Sequence, residues 1–216
     1  MDAIAELIRV GREMVAHGLT WGDAGNLSFR SGDDLYVTAS GSRLGDLTQD
    51  DIVSVPLQAA PVGSGPARRP SKELPLHRAV YSSRPDAAAV LHGAPFHATL
   101  VACSDMTVPD DLFVETMHYL ERVASVPYHH PGSQDLGTAV GQAARSSEVL
   151  LLENHGVVVF GESLSEALQG LQVLELACRM AITARTANLT LRRLPPETVT
   201  DFRERAAYRP RRSRPS

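Results

Sequence analysis

Apolar residues at the start of the chain fall at helical spacing. Ile4, Leu7, Ile8, Gly11, Met14 and Val15 share one face, and Gly18 is placed to end the helix. Leu27 to Arg30 and Leu35 to Thr38 read as two strands around the turn Ser31-Gly32-Asp33-Asp34, and Ile52 to Val55 as a short third. Ala59 to Arg69, rich in Pro, Gly and Ala, reads as a loop. Ser71 is a suitable N-cap for a helix running to about Ser82, with Pro75 tolerated near its first turn.

The apolar run Ala87 to His92 predicts a buried strand, followed by a helix over Pro95 to Cys103. Asp110 to Arg122 carries Leu112, Phe113, Met117 and Leu120 at helical spacing, and Leu136 to Arg145 reads as a short helix. Val149 to Leu152 and Gly156 to Phe160 are strand runs. A long helix then starts at the Ser163-x-x-Glu166 capping box and carries Leu164, Leu168, Leu171, Leu174, Cys178 and Ala181 to about Thr186. This mixture of strand pairs and helices favours an α/β sandwich with a central, mostly antiparallel sheet over a doubly wound fold.

At 216 residues the chain is long enough for one well-buried domain. Leu194-Pro195-Pro196 marks a change of character, so the reading is a domain over 1–194 and, over 195–216, an arm with a basic, solvated tail. A net charge of −4 gives no reason to expect nucleic acid or an anionic membrane as partner. No apolar stretch approaches the roughly 20 residues of a membrane helix, and no signal peptide is visible. Cys103 and Cys178 lie in apolar contexts and read as two buried free thiols. A cytoplasmic protein is the simplest expectation.

Three separated residues carry the candidate chemistry. Glu73 opens a helix-like stretch, His92 ends a strand-like run, and His155 sits between two more such runs. A carboxylate and two imidazoles at element ends are what a divalent metal site requires.

These residues also lie in motifs. Gly25-Asn26-Leu27-Ser28, Thr38-Ala39-Ser40-Gly41, Pro70-Ser71-Lys72-Glu73, Ser83-Arg84-Pro85-Asp86, Leu91-His92 and Glu153-Asn154-His155-Gly156 occur in one order and spacing. Together they resemble the class II aldolase/adducin family, of the fuculose-phosphate aldolase type, from the first helix to about Ala187. The resemblance implies a three-layer α/β/α sandwich, a homotetramer with active sites between subunits, and a divalent metal, most commonly zinc. It implies carbon–carbon bond cleavage in a small anionic substrate such as a sugar phosphate or oxygenated acid. In such enzymes the metal polarises a carbonyl and stabilises an enediolate, while a carboxylate moves the neighbouring proton.

Carried onto this chain, the resemblance makes Glu73, His92 and His155 the metal ligands, with Glu73 doubling as acid/base. Asn26, Ser40, Gly41 and Ser71 match positions that cradle a substrate phosphate, as backbone N–H groups in turns and at helix starts can do. Lys72, the only lysine in the chain, would add a point charge for that anion, or, if desolvated, a Schiff base. Glu115 lies where relatives place a proton donor, with Tyr119 and Tyr208 as weaker candidates. Glu153 is a candidate to orient a ligand histidine. His129 and His130 read as exposed loop residues, and His17, His77 and His118 as structural.

The family pattern at the strand end is His-x-His, whereas this chain has His92-Gly93-Ala94. Three readings stay open. Glu73, His92 and His155 hold a metal, zinc first and manganese or iron next; His97 swings in as a further ligand; or the metal is gone. A lyase performing aldol cleavage or decarboxylation leads. A non-haem iron oxygenase on the same fold and a non-catalytic adducin-like interaction module are the alternatives.

Overall fold

The computed structural model describes residues 2–58 and 68–205. Most of the predicted loop at 59–69 and the tail with Tyr208 lie outside the described residues. Helix α1 (Ala3–Ala16) is capped by Asp2, whose side chain accepts from Ile4 N, and Gly18 follows in the left-handed region. Strands β1 (Asn26–Ser31), β2 (Asp34–Thr38) and β3 (Ile52–Pro56) form an antiparallel meander. Helix α2 (Leu74–Ser83) leads to β4 (Ala89–Gly93), α3 (Phe96–Ala102) and α4 (Val114–Tyr119). Then come β5 (Val123–Val126), α5 (Gln134–Ala144), the β6 (Val149–Leu152) and β7 (Gly156–Gly161) hairpin, α6 (Leu164–Thr186) and α7 (Pro196–Glu204).

The seven strands lie in the order β3-β2-β1-β4-β7-β6-β5, every pair antiparallel except β5 with β6. Side chains alternate across this sheet. Leu27, Leu91, Leu151 and Val159 join α1, α3 and α6 in one core, while Val90, Leu150, Val158 and Phe160 join α2 and α5 in the other. The result is the expected three-layer α/β/α sandwich. Close packing of α5 on α2 depends on small residues: Gly137 sits over Pro75, and Gly141 over Ala79 and Ser83.

Several local expectations are corrected. Ser71 is not the cap of α2; the helix begins at Leu74 with Glu73 as N-cap residue and Pro75 in its first turn. Ser71 instead closes the turn ahead of the helix, its Oγ accepting from Glu73 N and its carbonyl from Leu74 N, while Pro70 bridges Ala39 and Ser71 N donates to Thr38 O. The helix predicted over Asp110 to Arg122 forms only from Val114 to Tyr119. Thr116 Oγ1 accepts from both Leu112 N and Phe113 N, delaying the helix start, and Val123 to Val126 leave as β5. At α6, Ser163 accepts from Glu166 N as predicted, but the Glu166 carboxylate accepts from Glu162 N rather than closing a box on Ser163. Cys178 is buried, whereas Cys103, at the end of α3, is exposed; both are free.

Beyond α6, α7 docks on the α4 region. Leu194 N donates to Asp111 O, and Arg203 reaches Met117 O and Asp110.

One glycine bears on the site directly. Gly25 has φ +86°, and a Cβ there would lie 2.6 Å from the carbonyl oxygen of His92. Gly25→Ala therefore combines left-handed strain with a backbone clash beside a candidate ligand, at an expected cost of about 2–3 kcal/mol. Chemical denaturation checks this.

Candidate metal centre

Three elements on the α2 face of the sheet bring the ligand candidates together. His92 follows Val90 by two residues on β4 and shares its face, Glu73 stands at the start of α2, and His155 occupies the β6–β7 turn. Asn154 turns that corner at φ +55°, a conformation asparagine tolerates better than most residues. His92 Nε2 lies 3.2 Å from Glu73 Oε2, and His155 Nε2 lies 3.3 Å from Glu73 Oε1. One ligand atom from each residue falls within 4.8 Å of the others. His92 and Glu73 are buried and His155 is half-buried, so the cluster opens to solvent on the His155 side.

These contacts fit a cation. His92 Nδ1 is 3.0 Å from Val157 O, an acceptor only, so Nδ1 carries the proton and, in the neutral ring, Nε2 presents its lone pair to a carboxylate oxygen. Glu73 Oε1, buried and facing His155 Nε2, has no hydrogen-bond partner among the described residues. Lone pairs meeting at such distances repel unless a proton or metal ion lies between them. Ligand atoms at tetrahedral positions about 2.1 Å from one zinc ion are about 3.4 Å apart, and each histidine nitrogen stands at about that distance from one of the two Glu73 oxygens, at 3.2 and 3.3 Å.

Electrostatics point the same way. Burial would raise the Glu73 pKa, but His92, the Asn26 amide and His155 overcome it and hold the carboxyl at about 2. For His92, burial disfavours the charged ring, yet the Glu73 carboxylate prevails and lifts its pKa above the ordinary value. His155 is lowered, by burial and then by His92. In the metal-free pocket a proton thus stays on His92 above the usual histidine range, and an arriving metal must displace it. Metal affinity is expected to climb about tenfold per pH unit up to that raised pKa and to level off above it. Zinc titrations across neutral pH, read by a chromophoric competitor, check the slope.

The other predicted site residues fall into three groups. Ser40, Gly41, Ser71 and Lys72 are brought together: Ser40 N donates to Arg69 O, Ser71 N donates to Thr38 O, and Gly41 turns at φ +78°. Lys72 is exposed, which does not suit a Schiff base. Asn26 is beside the ligands but turned inward: its Nδ2 donates to Glu73 Oε2 at 2.7 Å and its Oδ1 accepts from His77 Nε2 at 2.5 Å. Glu115 is exposed on α4, which packs on α6 on the opposite face of the sheet, so a single chain does not bring it to the cluster.

Two lesser expectations are corrected. Glu153 accepts from Ser125 Oγ and does not orient His155, whose Nδ1 has no partner among the described residues. His97 does not swing in, because Glu175 accepts from its ring at 2.6 Å and from the backbone N–H groups of His97 and Ala98. His130 is exposed and His129 half-buried, and Tyr119 donates to Gln169.

One set of residues escaped the sequence reading. His77, read as merely structural, is fully buried behind the ligands with Ser28 and Tyr81. The signal was present: Asn26 and Ser28 alternate on one strand face, and Glu73, His77 and Tyr81 recur every fourth residue.

Comparison with known proteins agrees with this geometry. The class II aldolase and adducin N-terminal domain profile matches residues 5–182. The chain is 32% identical to the 3-oxo-tetronate 4-phosphate decarboxylase of Haemophilus influenzae, over 82% of this chain and 85% of that protein. It is 30% identical to the L-fuculose phosphate aldolase of Methanocaldococcus jannaschii, over 82% and 94%. The crystal structure of L-fuculose-1-phosphate aldolase from Thermus thermophilus superposes with a TM-score of 0.76 at 28% identity, covering 86% of this chain and 95% of that one. With the profile spanning most of its length and the cluster in place, the chain belongs to the class II aldolase and adducin family.

Proposed function

We propose that this protein breaks a carbon–carbon bond in a small phosphorylated ketose or oxo acid, by decarboxylation or aldol cleavage. It is a metal-dependent lyase of its family, and the cluster of Glu73, His92 and His155 is the observation that carries this reading. These three residues would hold the metal, which supplies Lewis acidity toward the substrate carbonyl. Glu73, ionised across neutral pH, can take up the hydroxyl proton that aldol cleavage releases; decarboxylation instead consumes a proton at carbon, which the Glu115 donor would supply. Ser40, Gly41, Ser71 and Lys72 hold the substrate's anionic end, while Asn26 beside them is turned to Glu73 and His77. Glu115 acts as proton donor from a neighbouring subunit, since it is exposed and remote from its own chain's cluster.

Zinc is the metal this donor set suits best, because two imidazoles and one carboxylate serve catalytic zinc with a position left open. Manganese or iron would occupy the same donors. Position 94 lies two residues from His92 along the strand direction, where the family pattern has a second histidine and this chain has Ala94. Coordination here is thus completed by solvent or substrate. Ala94→His should tighten metal binding by about tenfold or more, ~1.4 kcal/mol, in a competition titration. A homotetramer in the cytoplasm completes the proposal: the Glu115 role requires a neighbouring subunit, and the two free cysteines fit a reducing compartment.

The test is turnover of phosphorylated four-carbon oxo acids and ketose 1-phosphates by zinc-loaded protein, with release of carbon dioxide and of aldehyde followed separately. Product from one class, abolished by a chelator, supports the reading and chooses the reaction. Absence of product from every substrate with zinc, manganese and iron in turn would overturn it.

A further inference from the structure

Behind Glu73 a line of buried polar side chains runs between β1 and α2. Asn26 Nδ2 lies 2.7 Å from Glu73 Oε2, and Asn26 Oδ1 lies 2.5 Å from His77 Nε2. His77 Nδ1 is 2.7 Å from Ser28 Oγ, which is 2.9 Å from Tyr81 Oη. His77 and Ser28 are wholly buried, and Asn26 and Tyr81 nearly so.

The direction of every bond follows from one end. An ionised carboxylate only accepts, so the NH2 side of Asn26 faces Glu73 and its oxygen faces His77. That oxygen requires a proton on His77 Nε2. In a neutral imidazole Nδ1 then accepts, so Ser28 must donate to it, and Ser28 in turn accepts from the Tyr81 phenol. The surroundings keep each member in the required state. Burial depresses the His77 pKa to about 3, leaving the ring neutral, and burial raises the Tyr81 pKa, leaving the phenol protonated.

We infer that His77 is a positioning residue for the metal centre: fixed in its Nε2–H tautomer by Ser28 and Tyr81, it aims the Asn26 amide so that an N–H holds the Glu73 carboxylate in its ligating orientation. The inference rests on the metal-lyase reading. Reversal of the His77 tautomer would turn a lone pair on Asn26 Oδ1, and rotation of Asn26 would then turn its oxygen on Glu73. Each error lands on the carboxylate: the other buried group at Glu73 Oε2, His92 Nε2 at 3.2 Å, is itself a ligand candidate that a bound metal would engage, so it would not correct the error. Such outer partners of ligating carboxylates carry about 10- to 100-fold in metal affinity.

The experiment compares His77→Leu with His77→Gln by zinc competition, and records the histidine ring-nitrogen NMR spectrum of the metal-free wild-type protein. A glutamine amide can still donate to Asn26 Oδ1, and leucine only fills the space. The expected result is an affinity about 10- to 100-fold weaker in His77→Leu, largely restored in His77→Gln, with wild-type His77 in the Nε2–H form. Equal affinities in wild type and His77→Leu would overturn the inference, as would a wild-type Nδ1–H tautomer. If His77→Leu does not fold, the tautomer and the Ser28→Ala affinity decide: Nε2–H with weakened binding supports it, and unchanged binding overturns it. Wild-type protein that binds no metal would instead sink the metal-lyase reading, with the tautomer still deciding which way Asn26 faces.

Discussion

Glu73→Gln should weaken zinc binding by about 100-fold and lower turnover by about a thousandfold or more. The first figure follows from dividing a structural zinc site's roughly 10–16 kcal/mol among four ligands, which leaves about 3 kcal/mol for each. The second adds the loss of a group that moves a proton, commonly worth 10²–10⁴-fold. The amide keeps the volume of the side chain but not its charge. His92 and His155 would then face a neutral group, and the Asn26 N–H would meet either an amide oxygen or another donor. Metal-free stability is a useful control here. The wild-type carboxyl is held at about 2 in the folded chain, below its ordinary 4.5, so its stabilising contribution is full at neutral pH and is lost progressively as pH falls from 4.5 to about 2. Glu73→Gln removes that contribution at neutral pH, so competition titrations and kinetics should be read on protein verified as folded.

Arg84→Ala should destabilise the fold by about 3–5 kcal/mol, the range for removing one partner of a buried ionic group. Arg84 closes α2 and is completely buried. Its guanidinium meets both oxygens of Asp86 at 2.8 and 2.6 Å, Glu148 at 3.0 Å and the carbonyl of Ala144 at 3.2 Å, and lies over the Phe160 ring. One side chain thus ties the approach to β4 to the end of α5 and the start of β6. Truncation would leave two carboxylates facing each other at the base of the site's sheet. Loss of Tm and of the urea midpoint, with zinc affinity changed far less than in Glu73→Gln, would fit this role. A variant as stable as wild type would refute it.

Legibility in the sequence depended on how much of each signal was local. The β4, β6 and β7 runs were readable because strands covered on both faces are apolar throughout, and the long α6 because a serine cap precedes a sustained stripe. Strand β5 was missed because Val-Ala-Ser-Val is short and mostly half-buried or exposed, leaving no clear alternation to read after the helix expected to end at Arg122. The start of that helix is set by Thr116 hydrogen bonds that no periodicity records. At the site, Glu73, His92 and His155 stood out by residue type and motif. The direction of Asn26 did not, since the same residue in the same turn can face a substrate or a buried histidine. Only the packing of α2 on β1 decides between them. Likewise nothing local foretold that Glu175, on another helix, would hold His97 away from the ligands.

The most direct test of the metal centre is metal content by mass spectrometry, on wild-type protein purified without chelator and on His92→Ala. Near-stoichiometric zinc, or manganese or iron in its place, lost in His92→Ala, is the result predicted by the Glu73–His92–His155 cluster. A wild-type protein that holds no metal, even after each ion is added back, would contradict it.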